Sequence, residues 1–288
     1  MRIQSSNTVR KYLAETIKRN IEYSKYLIMP PMIGRQNHQT DLFRDQIITN
    51  LPSYLIEKYP NGVPIYCYAC SDGSEPYSIA IGLSEKLGIE KAKRTFPIHA
   101  SDIDPDLIAE CVDGNIILES KWEQDFRKYT SFEFVNAFKD GVDLPIEGVV
   151  DSSYKQYKVA DALRQMIKFE YKDITIDAEK YFQEPVVLLF RNAWYHLNAE
   201  KAEKLARGLY KNLQPGSIII NGKSEFERKC RSEISEDRDD FAIWFLKDAG
   251  FKPNIEALKA LYPGLYSELD KVFPQEQDRI YVSYVFER

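Results

Sequence analysis

The sequence predicts an α/β fold, a doubly wound and mostly parallel sheet with helices on both faces. Three observations carry that expectation. Short apolar, β-prone runs at 65–69, 96–100 and 185–190 are separated by helical patterns. The first run feeds Ser71-Asp72-Gly73-Ser74, which is turn chemistry, and then Pro76, which fits the opening turn of a helix. The third is the most apolar run of the chain and suits a central strand buried on both faces.

The elements follow in order. Residues 9–28 read as a helix with Leu13, Ile17, Ile21 and Ile28 on its apolar face. Its other face carries Arg10, Lys11, Lys18, Arg19 and Lys25, either a dock for an acidic partner or a solvated surface. The run Met29-Pro30-Pro31 breaks it. Thr40 can cap a second helix over 41–59, with Phe43, Ile47, Leu51 and Leu55 inward. After strand 65–69, Ile79, Ala80, Leu83 and Leu87 recur at helical spacing, and Gly88 closes that helix. A linker leads to strand 96–100, followed by an acid, Asp102. Pro105 starts a helix that ends near Gly114. Residues 120–160 form an insertion on the substrate side or a bland surface excursion, and Phe134 and Phe138 at i,i+4 suit helix there. Residues 157–159, 167–171 and 173–174 resume the sheet. Arg191 and Asn192 stand at the end of strand 185–190. Asn198 caps helix 199–213, strand 217–221 follows, and 241–249 is a helix. The alternation over 280–286 fits a final antiparallel strand. This gives a helical N-terminal segment, 1–35, and one domain, 36–288.

Composition narrows the class. A net charge of −5 argues against a general nucleic-acid binder. No apolar run approaches the ~20 residues of a membrane span, and 1–11 lacks a signal peptide's apolar core. A cytosolic protein without membrane insertion is expected. Cys67 and Cys70 make a C-x-x-C that suits redox or metal work, or simply two buried thiols. With no matching second pair, buried thiols are expected, and no metal.

Strand, glycine turn, helix, strand and acid make up the first unit of a nucleotide-binding sheet. Gly73 lets the turn lie close under a ligand, and Asp102 can accept two ribose hydroxyls. A dinucleotide would need its pyrophosphate cradled by several glycines. Here there are one glycine and three acids: Asp72, Glu75 and Asp102. Acids repel a pyrophosphate and attract a cation. The adenosine cofactor that carries positive charge is S-adenosyl-L-methionine. The alternative is a polar loop of the kind any α/β sheet carries.

Cys70-Ser71-Asp72-Gly73-Ser74-Glu75-Pro76-Tyr77-Ser78 with Ala100-Ser101-Asp102-Ile103-Asp104 resembles the C-S-T-G-E-E-P-Y-S and A-S/T-D-I-D signatures of the chemotaxis-receptor glutamate O-methyltransferases, the CheR family. Thr40-Asp41-Leu42-Phe43-Arg44-Asp45 resembles the family's T-x-F-F-R-D, and Phe190-Arg191-Asn192 its C-R-N. Leu213-Gln214-Pro215-Gly216 and Gly222-Lys223-Ser224-Glu225 resemble its L-x-P-G-G and G-H-S-E. The motifs stand in order over about 40–225.

The resemblance implies a class I, Rossmann-like methyltransferase sheet of seven strands with S-adenosylmethionine as cofactor. It nominates His38, Thr40, Arg44, Gly73, Glu75, Asp102, Asp173, Ile174, Arg191 and Asn192 around that cofactor. It places Arg44, Tyr195 and His196 at the methyl-transfer face. His38 stands where the family has asparagine, and Ser74 where it has its first glutamate. His196 aligns with the family's tyrosine, and Tyr195 lies one place earlier. The implied reaction is O-methylation of a glutamate in a protein partner, which the N-terminal helix could help recognise. A glutamate is already ionised at neutral pH and needs no general base. The alternatives are an amine, thiol or hydroxyl acceptor with His196 as base, or a cofactor-binding scaffold without turnover.

Overall fold

The computed structural model describes residues 46–119, 126–128, 130–143, 154–222, 242–263, 266 and 285–288. The predicted helix over 9–28 and the cap at Thr40 lie outside them. The first half runs α1 (Gln46–Lys58), β1 (Ile65–Tyr68), α2 (Ser74–Leu87), α3 (Ile89–Thr95), β2 (Ile98–Asp102), α4 (Pro105–Asp113), β3 (Asn115–Glu119), α5 (Phe134–Ala137) and β4 (Phe138–Asp143). The second runs β5 (Tyr154–Val159), α6 (Asp161–Arg164), β6 (Ile167–Tyr171), α7 (Ile174–Asp177), β7 (Val187–Phe190), α8 (Ala199–Asn212), β8 (Ile218–Ile220), α9 (Ala242–Ala249), β9 (Lys252–Pro253), α10 (Ile255–Leu261) and β10 (Val285–Glu287).

The main sheet has seven strands in the order β6-β2-β1-β7-β8-β10-β9. The pairs β6–β2, β2–β1, β1–β7 and β7–β8 are parallel, while β10 runs antiparallel to both neighbours. Of the final antiparallel strand predicted over 280–286, residues 285 and 286 lie in β10, which inserts between β8 and β9, while 280–284 lie outside the described residues.

Strand alternation sorts the core into two layers. Ile65, Cys67, Ile98, Ala100, Val187, Leu189, Ile218 and Ile220 join the cluster that also holds residues of α1, α2 and α10. Tyr68, Leu188, Phe190, Ile219 and Phe286 join the opposite cluster with Ala202, Leu205, Ala206 and Leu209 of α8. A strand such as Val187-Leu188-Leu189-Phe190 is apolar throughout because both its faces are covered. Of the inward face expected of this helix, Ile47, Leu51 and Leu55 are all buried, and Phe43 lies outside the described residues. Pro52, inside α1, lays its ring on Gly82 of α2, where a Cβ would stand 2.7 Å from Pro52 Cγ. That contact brings the two helices together.

Four expectations need correction. Residues 157–159 do not rejoin the main sheet; they lie in β5 of a separate three-stranded antiparallel sheet, order β3-β5-β4. Among the described residues of 115–160, the small sheet accounts for β3, β4 and β5, and α5 is a single turn of helix between them. Phe134 and Phe138 do meet, with ring centroids 4.9 Å apart, but Phe138 is already in β4, and Phe126 and Tyr157 complete the aromatic cluster. Residues 173–174 are the cap and first residue of α7, not strand. The linker after Gly88 is α3, whose only buried residue is Ala92.

Candidate functional site

Strand order reverses at β1. The chain moves from β1 to β2 on one side and later returns to β7 on the other. In an open α/β sheet, the crevice beyond the carboxyl ends of the strands at that switch point is the ligand site. The backbone is strained there. Among the described residues the non-glycine positions with left-handed φ are Ala69 (55°), Ser71 (51°) and Asn192 (56°), the first two beyond β1 and the third beyond β7. Such conformations cost free energy and cluster at ligand sites.

The turn after β1 is held from several sides. Gly73 N–H donates to the Cys70 carbonyl, and the Ser74 amide donates to Asp72 Oδ1 at 3.0 Å. Gly73 has φ 78°, and a Cβ there would stand 2.9 Å from Cys111 Sγ and 3.2 Å from the Tyr77 ring. The glycine expected to lie close under a ligand is thus already required by its backbone and by packing on α4. Cys67, Cys70 and Cys111 are buried free thiols. Burial pushes the Cys67 thiol up, and for Cys111 the neighbouring Cys70 thiol and burial do the same.

Asp102 ends β2, 8% exposed. Its Oδ2 accepts the Ser71 amide at 2.9 Å and its Oδ1 the Asp104 amide at 3.0 Å. Asp102 therefore ties the turns after β1 and β2 together. Each carboxylate oxygen keeps a further lone pair for a ribose hydroxyl.

Across the switch point, Arg191 follows β7. Its guanidinium donates to Glu75 Oε2 at 3.0 Å, with both side chains buried. The sequence nominated both residues as cofactor contacts; the structure makes them an ion pair spanning the crevice floor from α2 to β7. Asn192 packs on Gly222, where a Cβ would fall 2.1 Å from Asn192 Oδ1. Beyond them the chain makes a single 3-10 turn over Trp194–His196. Trp194 Nε1 donates to Asn221 Oδ1 at 2.9 Å, which locks this turn to the end of β8. His196 is exposed, as expected of a rim residue, and Tyr195 lies beside it in the same turn. Asn198 caps α8 as predicted, accepting the Lys201 amide at 2.9 Å.

Asp173 and Ile174 stand at the other flank, where α7 follows β6. Asp173 Oδ1 accepts the amide and hydroxyl of Thr175 at 2.8 and 2.7 Å, so this side chain caps α7. Ile174 is buried in the cluster with Tyr68, Phe190 and Trp194. The nominated His38, Thr40 and Arg44 lie outside the described residues. Sequence reasoning missed Cys111, whose sulfur backs Gly73, and the buried Tyr68 hydroxyl, which donates to Asp177 Oδ2 at 3.1 Å. Their contacts are long-range, and nothing local marks them.

The crevice floor is anionic on balance. Asp72, Glu75 and Asp102 gather around it, and Arg191 is matched by Glu75. That charge suits a nucleoside bearing a sulfonium and an ammonium, and disfavours a pyrophosphate. Six strands running one way, a single antiparallel strand inserted next to the far edge, and an acid ending β2 define a class I, Rossmann-like methyltransferase fold.

The matching family model is the CheR methyltransferase SAM-binding domain, over residues 33–135 and 146–236. The chain belongs to that family, and S-adenosylmethionine is the cofactor the domain binds. A chemotaxis protein methyltransferase of Borreliella burgdorferi is 23% identical over 193 residues, covering 66% of this chain and 62% of its own. One from Klebsiella aerogenes is 27% identical over 196 residues, covering 64% and 62%. The chain thus spans about three fifths of the length of the curated relatives it matches. A TehB-like SAM-dependent methyltransferase of Corynebacterium glutamicum aligns with 84% of this chain and 85% of its own, at 12% identity and a TM-score of 0.37. The fold class rests on the strand order. No helix among the described residues is long and apolar enough to cross a membrane.

Proposed function

We propose that this protein is an S-adenosylmethionine-dependent methyltransferase acting on a carboxylate side chain of a protein, most simply a glutamate. The observation that carries the proposal is the family match, because it covers the same strand ends at which Glu75, Arg191 and Asp102 converge. Relatives named chemotaxis protein methyltransferases support a protein substrate.

The bound cofactor supplies an electrophilic methyl on a cationic sulfur. The chain's residues do the rest by positioning and by excluding water. Asp102 accepts the ribose hydroxyls. Glu75, held by Arg191, faces the cofactor's cationic end. By the family resemblance Asp173 and Ile174 would wall the adenine, and His38, Thr40 and Arg44 are the further residues nominated for the cofactor. Tyr195 and His196 stand where the acceptor enters. A carboxylate acceptor arrives ionised, so no base is required. A second reading, an amine, thiol or hydroxyl acceptor, is favoured by one observation: His196 is exposed on the rim next to Arg191-Asn192.

Incubation with methyl-labelled cofactor and host-cell lysate tests the proposal. Label on a lysate protein, abolished by excess S-adenosylhomocysteine, is expected. Wild-type protein that binds S-adenosylhomocysteine and transfers no label would instead point to a scaffold.

A further inference from the structure

Tyr68 closes β1 one residue before the left-handed Ala69, and Asp177 closes α7. β2 lies between β1 and β6 in the sheet, so the two side chains meet across a whole strand. The Tyr68 hydroxyl donates to Asp177 Oδ2 at 3.1 Å in a buried contact spanning 109 residues of sequence. Asp177 is 5% exposed. Its Oδ1 accepts the Lys180 ammonium, and Lys172 stands 3.7 Å from Oδ2. Burial and the Asp177 carboxylate push the Tyr68 phenol well up, so it remains a donor.

α7 is one helical turn of four residues. A single turn has too few backbone hydrogen bonds to hold itself, so side-chain ties set its place. Its first end is fixed by the Asp173 cap. Just past its last end, Asn212 of α8 donates to the Ala178 carbonyl at 2.7 Å, and at that end the Asp177 carboxylate has competing partners. Lys180 is largely exposed and pulls the carboxylate outward, whereas Tyr68 pulls it onto the sheet. Ile174, at the start of the same turn, packs in one cluster with Tyr68. Through the chain, Tyr68 also leads directly into the strained turn that ends at Gly73.

We infer that Tyr68 is a positioning residue whose hydrogen bond to Asp177 holds the Asp173–Ile174 wall against the crevice and so sets affinity for the adenine-bearing half of the cofactor. The inference rests on the S-adenosylmethionine reading above. Without the bond, Asp177 follows its lysines toward solvent and draws the wall off the sheet, while Asp102 and the Gly73 turn keep their own ties.

Calorimetric titration with S-adenosylhomocysteine and amide hydrogen exchange with and without that ligand, on the full chain, test this. Tyr68→Phe should weaken binding about tenfold. It should lose ligand-induced protection over 173–178 while keeping it over 69–75. Asp177→Asn still offers an acceptor to Tyr68 and should bind within about twofold of wild type. If Tyr68→Phe shows no cooperative thermal transition, Asp177→Ala removes the same bond from the other side, with the same expectation. A folded variant that binds like wild type, or loses protection equally at both segments, overturns the inference while leaving the cofactor reading intact. Wild-type protein that fails to bind S-adenosylhomocysteine overturns both.

Discussion

Glu75 and Arg191 meet at 3.0 Å with side chains 3% and 1% exposed. One opens α2 and the other follows β7, so the pair stitches together the two sides of the strand-order switch. A buried ion pair contributes little over a well-packed apolar pair, but breaking one side leaves an uncompensated charge. The value of this pair to the protein is therefore positional.

Arg191→Met should destabilise the fold by about 3–5 kcal/mol in urea unfolding, because Glu75 stays buried without this guanidinium. Glu75→Gln with Arg191→Met should recover much of that stability without recovering S-adenosylhomocysteine binding. A single variant that loses less than about 1 kcal/mol would contradict the burial argument.

Asp102→Ala should weaken S-adenosylhomocysteine binding by about 1.5–3 kcal/mol, the range for hydrogen bonds to a charged acceptor. It should also lower thermal stability, since Asp102 accepts the Ser71 and Asp104 amides. Calorimetric titration reads the first effect and a thermal melt the second. Unchanged titration would remove Asp102 from the ribose.

Gly73→Ala meets two obstacles, a φ of 78° and the Cys111 sulfur 2.9 Å from the added Cβ. It should cost roughly 2–4 kcal/mol in urea unfolding. Adding Cys111→Ala should return the steric part and leave the backbone part, roughly 1–2 kcal/mol. A double variant no better than the single would mean that the sulfur contact is not what excludes a side chain.

Glu85 gives a pH prediction. Its carboxylate accepts the Ser131 amide and hydroxyl at 2.9 and 2.6 Å and the Thr130 hydroxyl at 2.9 Å. Partial burial raises its pKa, but the Ser131 and Thr130 hydrogen bonds outweigh this, and the net direction is down. A carboxylate with a depressed folded pKa adds stability that is present above its unfolded pKa of about 4.3 and lost as pH falls through the folded value. Wild type should therefore lose stability below about pH 4.3 more steeply than Glu85→Gln, as read by urea unfolding at several pH values. Parallel curves would contradict it.

Much of the frame was legible because it rests on local pattern. The run Val187–Phe190 is apolar throughout, and Ile47, Leu51 and Leu55 repeat at helical spacing; burial on both faces or on one stripe dictates those sequences. The ends of β1, β2 and β7 were legible as a candidate site because turn chemistry and acids cluster there. What was not legible depends on contacts distant in sequence. The small sheet is held by Phe126, Phe134, Phe138 and Tyr157, and Phe134 and Phe138 also fit a helical spacing. α3 buries only Ala92, so it shows no amphipathic stripe. Asp102 could be read as a ligand acid, but not as the acceptor for two backbone amides. Glu75 and Arg191 were each nominated, yet their pairing spans 116 positions and appears only when β1 and β7 lie side by side.

The most direct test of the central claim is the base lability of the transferred methyl group. Protein from host-cell lysate, incubated with this protein and methyl-labelled S-adenosylmethionine, is treated with alkali and the volatile fraction collected. A glutamate methyl ester hydrolyses, so most of the label should leave as methanol, and His196→Gln should retain transfer with no change in its dependence on pH between 6 and 8, about the range in which a histidine base would titrate. Label that survives alkali on the protein, with transfer that falls as His196 protonates, would show that the acceptor is not a carboxylate.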